Sequence, residues 1–171
     1  MKVAITGHTS GIGLALASKF QTVKGFSRSN GYNLCEVDKI LTESEDCDIF
    51  VNNAYNSDCP WSQVELLYKK WFQWENEQKL IVNISSNSND QNKSKPQQYT
   101  IHKSSLDQAS KQLSYLNKSC RILNVRPGYV DTPRVKNISE NKINTFELAQ
   151  LITSLLDYKS LKVSEITILP L

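Results

Sequence analysis

Tyr99 and Lys103 stand four residues apart in Tyr99-Thr100-Ile101-His102-Lys103, where a stretch with helical patterning begins. Positions i and i+4 of a helix share one face, so a phenol and an ammonium lie a few ångströms apart there. A free phenol, with a pKa near ~10, is a poor acid–base catalyst at neutral pH. A neighbouring cation favours the phenolate and brings the group toward the working range. Such a pair is common in unrelated helices and needs company. Ser86, thirteen residues before Tyr99, ends the run Leu80-Ile81-Val82-Asn83-Ile84-Ser85-Ser86. A hydroxyl at the carboxyl end of a parallel strand faces the crevice where open α/β sheets bind ligands. There it can donate to an oxygen that gains charge. Loop or capping hydrogen bonds are the alternative use of Ser85 and Ser86. His102 sits between the two helical groups and is assigned no role.

A second group of residues is suited to holding phosphate. Thr6-Gly7-His8-Thr9-Ser10-Gly11-Ile12-Gly13 follows directly on Val3-Ala4-Ile5-Thr6. Glycines between a first strand and a first helix permit a tight turn, close backbone approach to a pyrophosphate, and close packing of helix on strand. The helix starting near Gly11 directs free N–H groups and a positive dipole end at that phosphate. An acidic residue about 20 positions past the first glycine would bind the ribose hydroxyls of NAD. The chain has Ser27-Arg28-Ser29 there instead. The planar Arg28 guanidinium suits a 2′-phosphate, with Ser27 and Ser29 as hydroxyl donors. NADP(H) is therefore expected over NAD(H), a solvated surface arginine being the alternative.

These residues need a frame, and the apolar pattern supplies one. Strands are expected at Val3–Thr6, Val23–Ser27, Tyr32–Leu34, Asp48–Asn52, Leu80–Ile84, Arg121–Val125 and Glu165–Leu169. Helices are expected at Ile12–Phe20, 36–45, Val64–Trp74, 98–116 and Phe146–Leu156, with a polar loop over 87–98. Strands alternating with helices indicate right-handed β-α-β units and a doubly wound parallel sheet covered on both faces. No repeat or linker divides the chain, so one Rossmann-like domain over residues 1–171 is expected.

The bulk numbers agree with this. The chain has 171 residues, 39% hydrophobic and 22% charged, with a net charge of +3 and no basic run. That composition suits an ordinary globular domain and gives no sign of nucleic-acid binding. The apolar start is too short for a signal peptide, and no run reaches the ~20 residues of a membrane span. A soluble cytoplasmic protein is expected. Cys35, Cys47, Cys59 and Cys120 form no C-x-x-C pair and have no adjacent histidine. Reduced thiols and no metal site are expected.

Taken in order, the motifs resemble the short-chain dehydrogenase/reductase family, in an unusually short form. Gly7 to Gly13 resembles its T-G-x-x-x-G-I-G loop. Asn33-Leu34 resembles the pair that touches the adenine ring. Asn52-Asn53-Ala54 resembles N-N-A-G, with Tyr55 in the last position. Ser86, Tyr99 and Lys103 match the catalytic set, and Pro127-Gly128-Tyr129-Val130-Asp131-Thr132 resembles P-G-x-V-x-T. The resemblance implies strand order 3-2-1-4-5-6-7 in a Rossmann-like sheet. It also implies that Gly7, Thr9, Ser10, Gly11, Ile12, Gly13, Ser27, Arg28, Asn33, Leu34, Asn52, Asn53, Ala54, Tyr99, Lys103, Pro127, Gly128, Val130 and Thr132 bind the cofactor. The activity implied is hydride transfer between NADP(H) and a small carbonyl or alcohol. Ser86 would polarise the carbonyl, Tyr99 act as general acid or base, and Lys103 tune Tyr99 and hold the nicotinamide ribose.

Two departures stand out. The family also uses an asparagine before the serine strand, and the nearest here is Asn56, a turn residue on the other reading. The substrate lid shrinks to Pro133–Thr145, which implies an open site, a site shared between subunits, or weak selectivity. The stripe Trp61, Val64, Leu67, Tyr68, Trp71, Phe72 and Trp74 exceeds what one packed face needs, and implies a dimer or tetramer unless it packs entirely within the chain. An NADP(H)-binding sensor with little turnover is the alternative function. A sugar-nucleotide epimerase or dehydratase of the extended kind is not expected, because the chain has no room for a C-terminal substrate domain.

Overall fold

The computed structural model describes residues 1–90, 97–158 and 161–171. Six strands, β1 (Lys2–Thr6), β2 (Thr22–Phe26), β3 (Ile49–Asn52), β4 (Leu80–Ile84), β5 (Arg121–Pro127) and β6 (Glu165–Ile168), form one sheet. Its order is β2-β1-β3-β4-β5-β6, and every pairing is parallel. The helices are α1 (Gly11–Ala17), α2 (Val37–Glu43), α3 (Ser62–Trp74), α4 (Gln98–Ser114) and α5 (Thr145–Leu156).

Alternation along the strands sorts the side chains into two cores. Ala4, Phe50, Ile81 and Ile122 face α2, α3 and α4, where Ile40, Leu66, Trp71, Trp74 and Leu106 complete one cluster. Val3, Ile5, Val51, Val82, Leu123 and Val125 face α1 and α5, meeting Leu16, Leu148 and Ile152. Both faces of the sheet are therefore dry, as the near-continuous apolar strands require.

One expected strand does not form. Residues Tyr32–Leu34 run as a loop after a single 3-10 turn at Arg28–Asn30, so the outermost strand of the expected 3-2-1-4-5-6-7 order is missing. The reason is local. Asn33 Oδ1 accepts from the Cys35 N–H at 3.1 Å, and the Glu36 N–H donates to the Asn33 carbonyl at 2.9 Å. These turn bonds occupy groups that a strand edge would need free. The loop expected over 87–98 opens with a 3-10 turn at Asn87–Asp90, and its residues 91–96 lie outside the described ones.

The α3 stripe divides between core and surface. Leu67, Trp71 and Trp74 are buried and the partly buried Val64 packs on the same core, whereas Trp61, Tyr68 and Phe72 are 51%, 37% and 60% exposed.

Candidate active site

The carboxyl ends of the parallel strands share one edge of the sheet, and the loops leaving them enclose a cavity of about 820 Å³. That is the size class of a cofactor or substrate cleft. Its floor is the β1–α1 loop, where Gly7 (φ 71°) and Gly11 (φ 53°) adopt a left-handed backbone that L side chains rarely reach. Gly13 has another constraint, because a Cβ there would lie 2.1 Å from the Gly7 carbonyl oxygen. The helix thus packs on the loop with no room for a side chain.

The β3 end is fastened to the same loop. Thr6 Oγ1 accepts from the N–H groups of Asn53 at 2.9 Å and Ala54 at 3.0 Å. Asn53 Nδ2 donates back to the Thr6 carbonyl at 2.9 Å. This explains the polar pair at the end of an otherwise apolar strand.

Most of the sequence-derived residues line the cavity: Gly7, Thr9, Ser10, Gly11 and Ile12 from the loop, Ser27, Arg28, Asn33 and Leu34 at one end, then Asn53 and Ala54. Ser86, Tyr99 and Lys103 line the other end with Pro127, Gly128, Val130 and Thr132. Two of the expected cofactor contacts lie outside the lining. Gly13 acts through helix packing. Asn52 is fully buried, and its Nδ2 donates to the Gln63 carbonyl at 2.7 Å and to Asn83 Oδ1 at 3.0 Å. Its register explains this, for Asn52, Asn83 and Asn124 stand side by side across β3, β4 and β5.

Among the described residues the lining carries three cations, Arg28, Lys103 and Arg134, and no carboxylate. A cleft with glycine-loop N–H donors on its floor and a positive balance among its described charged residues fits an anionic dinucleotide. Arg28 opens the 3-10 turn after β2 and is exposed, beside Ser27, whose Oγ lies 2.8 Å from Ser29 Oγ.

At the opposite end, Tyr99 lies in the first turn of α4 and Lys103 one turn on. The Ser86 hydroxyl is a hydrogen-bond partner of the Tyr99 phenol. Burial pushes Tyr99 above its ordinary pKa, against a downward pull from the Arg134 charge and then from Ser86. Burial also drives Lys103 down to about 7, helped by Arg134. The expectation that Lys103 lowers Tyr99 meets a different balance here, in which desolvation dominates both groups. Lys103 Nζ lies 5.6 Å from the centre of the Tyr99 ring and donates to Gln63 Oε1 and the Ile84 carbonyl, each at 2.7 Å.

Three contributors escaped the sequence reading. Gln63 is buried at the start of α3, with Nε2 donating to the Asn52 carbonyl at 2.9 Å. Tyr55 stands where the family motif has glycine, yet its backbone needs no positive φ. Its ring packs edge-on against Tyr99, centroids 4.9 Å apart, and its hydroxyl lies 3.0 Å from His102 Nδ1. Arg134 lies on the shortened lid. Only the motif departure at Tyr55 was visible in the sequence; Gln63 and Arg134 carry no spacing signal. Asn56 behaves as a turn residue, accepting from the Asp58 N–H at 3.1 Å and donating to Cys59 Sγ at 3.3 Å.

The thiols correct a second expectation. Cys35 and Cys59 form a disulfide with Cα atoms 5.5 Å apart, and only Cys47 and Cys120 are free and buried. The bridge links the loop after β2 to the loop after β3, next to Asn33, Leu34 and Asn56 of the cavity lining.

No family model and no curated protein matches the sequence. Solved structures do. A short-chain dehydrogenase from Burkholderia cenocepacia in complex with NADP superposes with a TM-score of 0.77 at 16% identity, over 98% of this chain and 89% of that one. An alcohol dehydrogenase from the archaeon Thermococcus sibiricus complexed with 5-hydroxy-NADP gives 0.75 at 19%, over 98% and 95%. A 3-ketoacyl-(acyl-carrier-protein) reductase from Brucella melitensis complexed with NADH gives 0.72 at 18%, over 98% and 96%. The chain therefore has the fold of the short-chain dehydrogenases and reductases over nearly its whole length.

Proposed function

We propose that this chain is a member of the short-chain dehydrogenase/reductase family, a single cofactor-binding domain that interconverts a small carbonyl compound and its alcohol with NADP(H). The observation carrying this reading is one cavity with two matched ends. A glycine loop and Arg28 occupy one, Ser86, Tyr99 and Lys103 the other, and among the described residues no carboxylate lies between.

Gly7 to Ile12 hold the pyrophosphate, while Ser27 and Arg28 hold the 2′-phosphate, so NADP(H) is preferred over NAD(H). Asn33, Leu34 and Ala54 flank the adenosine, with Pro127, Gly128, Val130 and Thr132 beside the nicotinamide. Bound there, the cofactor supplies a hydride to the carbonyl carbon. Ser86 donates a hydrogen bond to the carbonyl oxygen, and Tyr99 gives that oxygen its proton. The C=O bond becomes CH–OH, and Tyr99 is reprotonated from solvent. In the oxidative direction Tyr99 takes the proton. Lys103 stabilises the phenolate and holds the ribose.

Substituting Tyr99→Phe tests the chemistry. Turnover of a reducible carbonyl is expected to fall by about 10²–10⁴-fold, the usual worth of a positioned acid, with NADPH binding kept. A second reading, a cofactor-binding sensor, draws on the lid, which between Thr132 and the Ile143 bridge holds one 3-10 turn, Pro133–Val135. A sensor would lose nothing in Tyr99→Phe.

A homo-oligomer belongs to the proposal, because Trp61, Tyr68 and Phe72 leave an exposed aromatic face on α3. Among the described residues no helix is long and apolar enough to cross a membrane. A cytoplasmic site of action also belongs to the proposal, and the Cys35–Cys59 disulfide counts against it, since such bridges are rare in a reducing compartment.

A further inference from the structure

We propose that Arg134 receives a carboxylate carried by the substrate, so that the enzyme acts on oxo acids or hydroxy acids in preference to neutral carbonyl compounds or alcohols. The proposal rests on the oxidoreductase reading above and assigns the substrate class at the same site.

The guanidinium is held at the catalytic end of the cavity. Arg134 Nη2 donates to the Tyr55 carbonyl at 3.3 Å, and its guanidinium carbon lies 5.7 Å from the centre of the Tyr55 ring. That ring packs edge-on against Tyr99. Arg134 is thus one aromatic ring away from the phenol that handles the proton.

Among the described residues its charge has no counterpart. None of the salt bridges among the described residues includes Arg134. Asp107, the acid whose charge also reaches Tyr99 and Lys103, is bound by Arg126 Nε at 3.0 Å. With no carboxylate among the described lining residues, Arg134 leaves a positive charge at the reacting end. The cofactor phosphates meet the glycine loop and Arg28 in this reading, so they leave it unbalanced. A charge of this kind raises the energy of an empty site and lowers it again when an anion arrives.

The chemistry of the donor fits a carboxylate. A guanidinium offers five N–H donors in a planar fork, of which the Tyr55 carbonyl takes one. The remaining edge can take both oxygens of a carboxylate, and Arg134 is exposed enough to meet it from solvent. Its place on the lid turn Pro133–Val135 lets one contact hold both substrate and lid.

The test uses matched pairs: acetoacetate and ethyl acetoacetate, 2-oxobutanoate and its methyl ester, 4-oxopentanoate and its methyl ester. NADPH oxidation is followed for the wild type, Arg134→Gln and Arg134→Lys. Each pair is read as an acid-to-ester ratio of kcat/KM, because both members meet the same proton donor. The wild type is expected to favour the acid in at least one pair. Arg134→Gln should cut that ratio about ten- to hundred-fold, the range for a lost charge-assisted hydrogen bond, and Arg134→Lys should recover part of it. NADPH affinity, measured by nicotinamide fluorescence, should stay as it was.

Esters reduced as well as acids, or an Arg134→Gln variant that weakens NADPH while keeping the ratio, would overturn the proposal. The second result would assign Arg134 to the pyrophosphate. A binding arm separates this from failure of the underlying reading. Tyr99→Phe loaded with NADPH is titrated with each acid, with and without Arg134→Gln. Acid binding that requires Arg134, when the wild type reduces none of the acids or esters, supports the carboxylate site and sinks the reductase. Acid binding indifferent to Arg134 sinks the carboxylate site.

Discussion

Lys103 Nζ donates to Gln63 Oε1 at 2.7 Å, which ties the amine of α4 to the first turn of α3 deep inside the sheet–helix interface. Gln63 is itself fixed, since its Nε2 donates to the Asn52 carbonyl and its own carbonyl accepts from Asn52 Nδ2. Lys103 is therefore positioned by a side chain whose other bonds reach the end of β3.

Gln63→Leu removes one acceptor and leaves a buried amine with the Ile84 carbonyl alone. A buried donor that loses its partner costs about 1–3 kcal/mol. Urea denaturation should show a loss of that size with an unchanged slope. Gln63→Glu puts a carboxyl group against the amine and should move the pH limb of turnover near neutrality upward. A limb that stays put would mean that Gln63 only packs.

The buried charge of Lys103 also makes stability depend on pH. Its folded pKa is about 7, below the 10.5 of the unprotected group. Between those values the unfolded chain holds more protons than the folded one, so stability rises with pH. Below pH ~7 both states are charged and the full burial penalty is present. Lys103→Met has no such penalty. Its stability advantage over wild type should be largest near pH 6 and shrink steadily toward pH 10. Lys70, also buried and lowered to about 8, is present in both proteins and cancels in the difference. An advantage that does not vary with pH would show that the amine is solvated.

The Cys35–Cys59 bridge closes a loop with a sequence separation of 24. Chain-entropy arguments give such a closure roughly 3 kcal/mol. Reductant should lower the denaturation free energy of the wild type by about that much, and should leave Cys35→Ser/Cys59→Ser unchanged. A wild type indifferent to reductant would contradict the bridge.

The sequence revealed most of the architecture, since apolar runs alternating with amphipathic stretches admit few arrangements other than a parallel sheet covered on both sides. It also revealed Tyr99 and Lys103, whose relation follows from helical pitch, and Ser86, whose place follows from a strand end. What it hid is set by tertiary geometry. The strand expected at Tyr32–Leu34 lost to local turn bonds at Asn33. Asn52 reads as a cofactor contact by motif, yet its register beside Asn83 turns it inward. Gln63 lies forty residues from its lysine and seventy-one from Arg134. No periodicity joins groups so far apart in the chain. The cysteine pair joins loops 24 residues apart, and no spacing motif marks such a pair.

The central claim is that this cleft holds NADP(H) through Arg28, and equilibrium titration tests it most directly. NADPH and NADH are added to purified wild type and Arg28→Ala while nicotinamide fluorescence is followed. The account predicts tighter binding of NADPH than NADH, with the preference reduced about ten- to hundred-fold in Arg28→Ala and NADH affinity little changed. Absence of binding by either nucleotide, or equal affinities in both proteins, would contradict it.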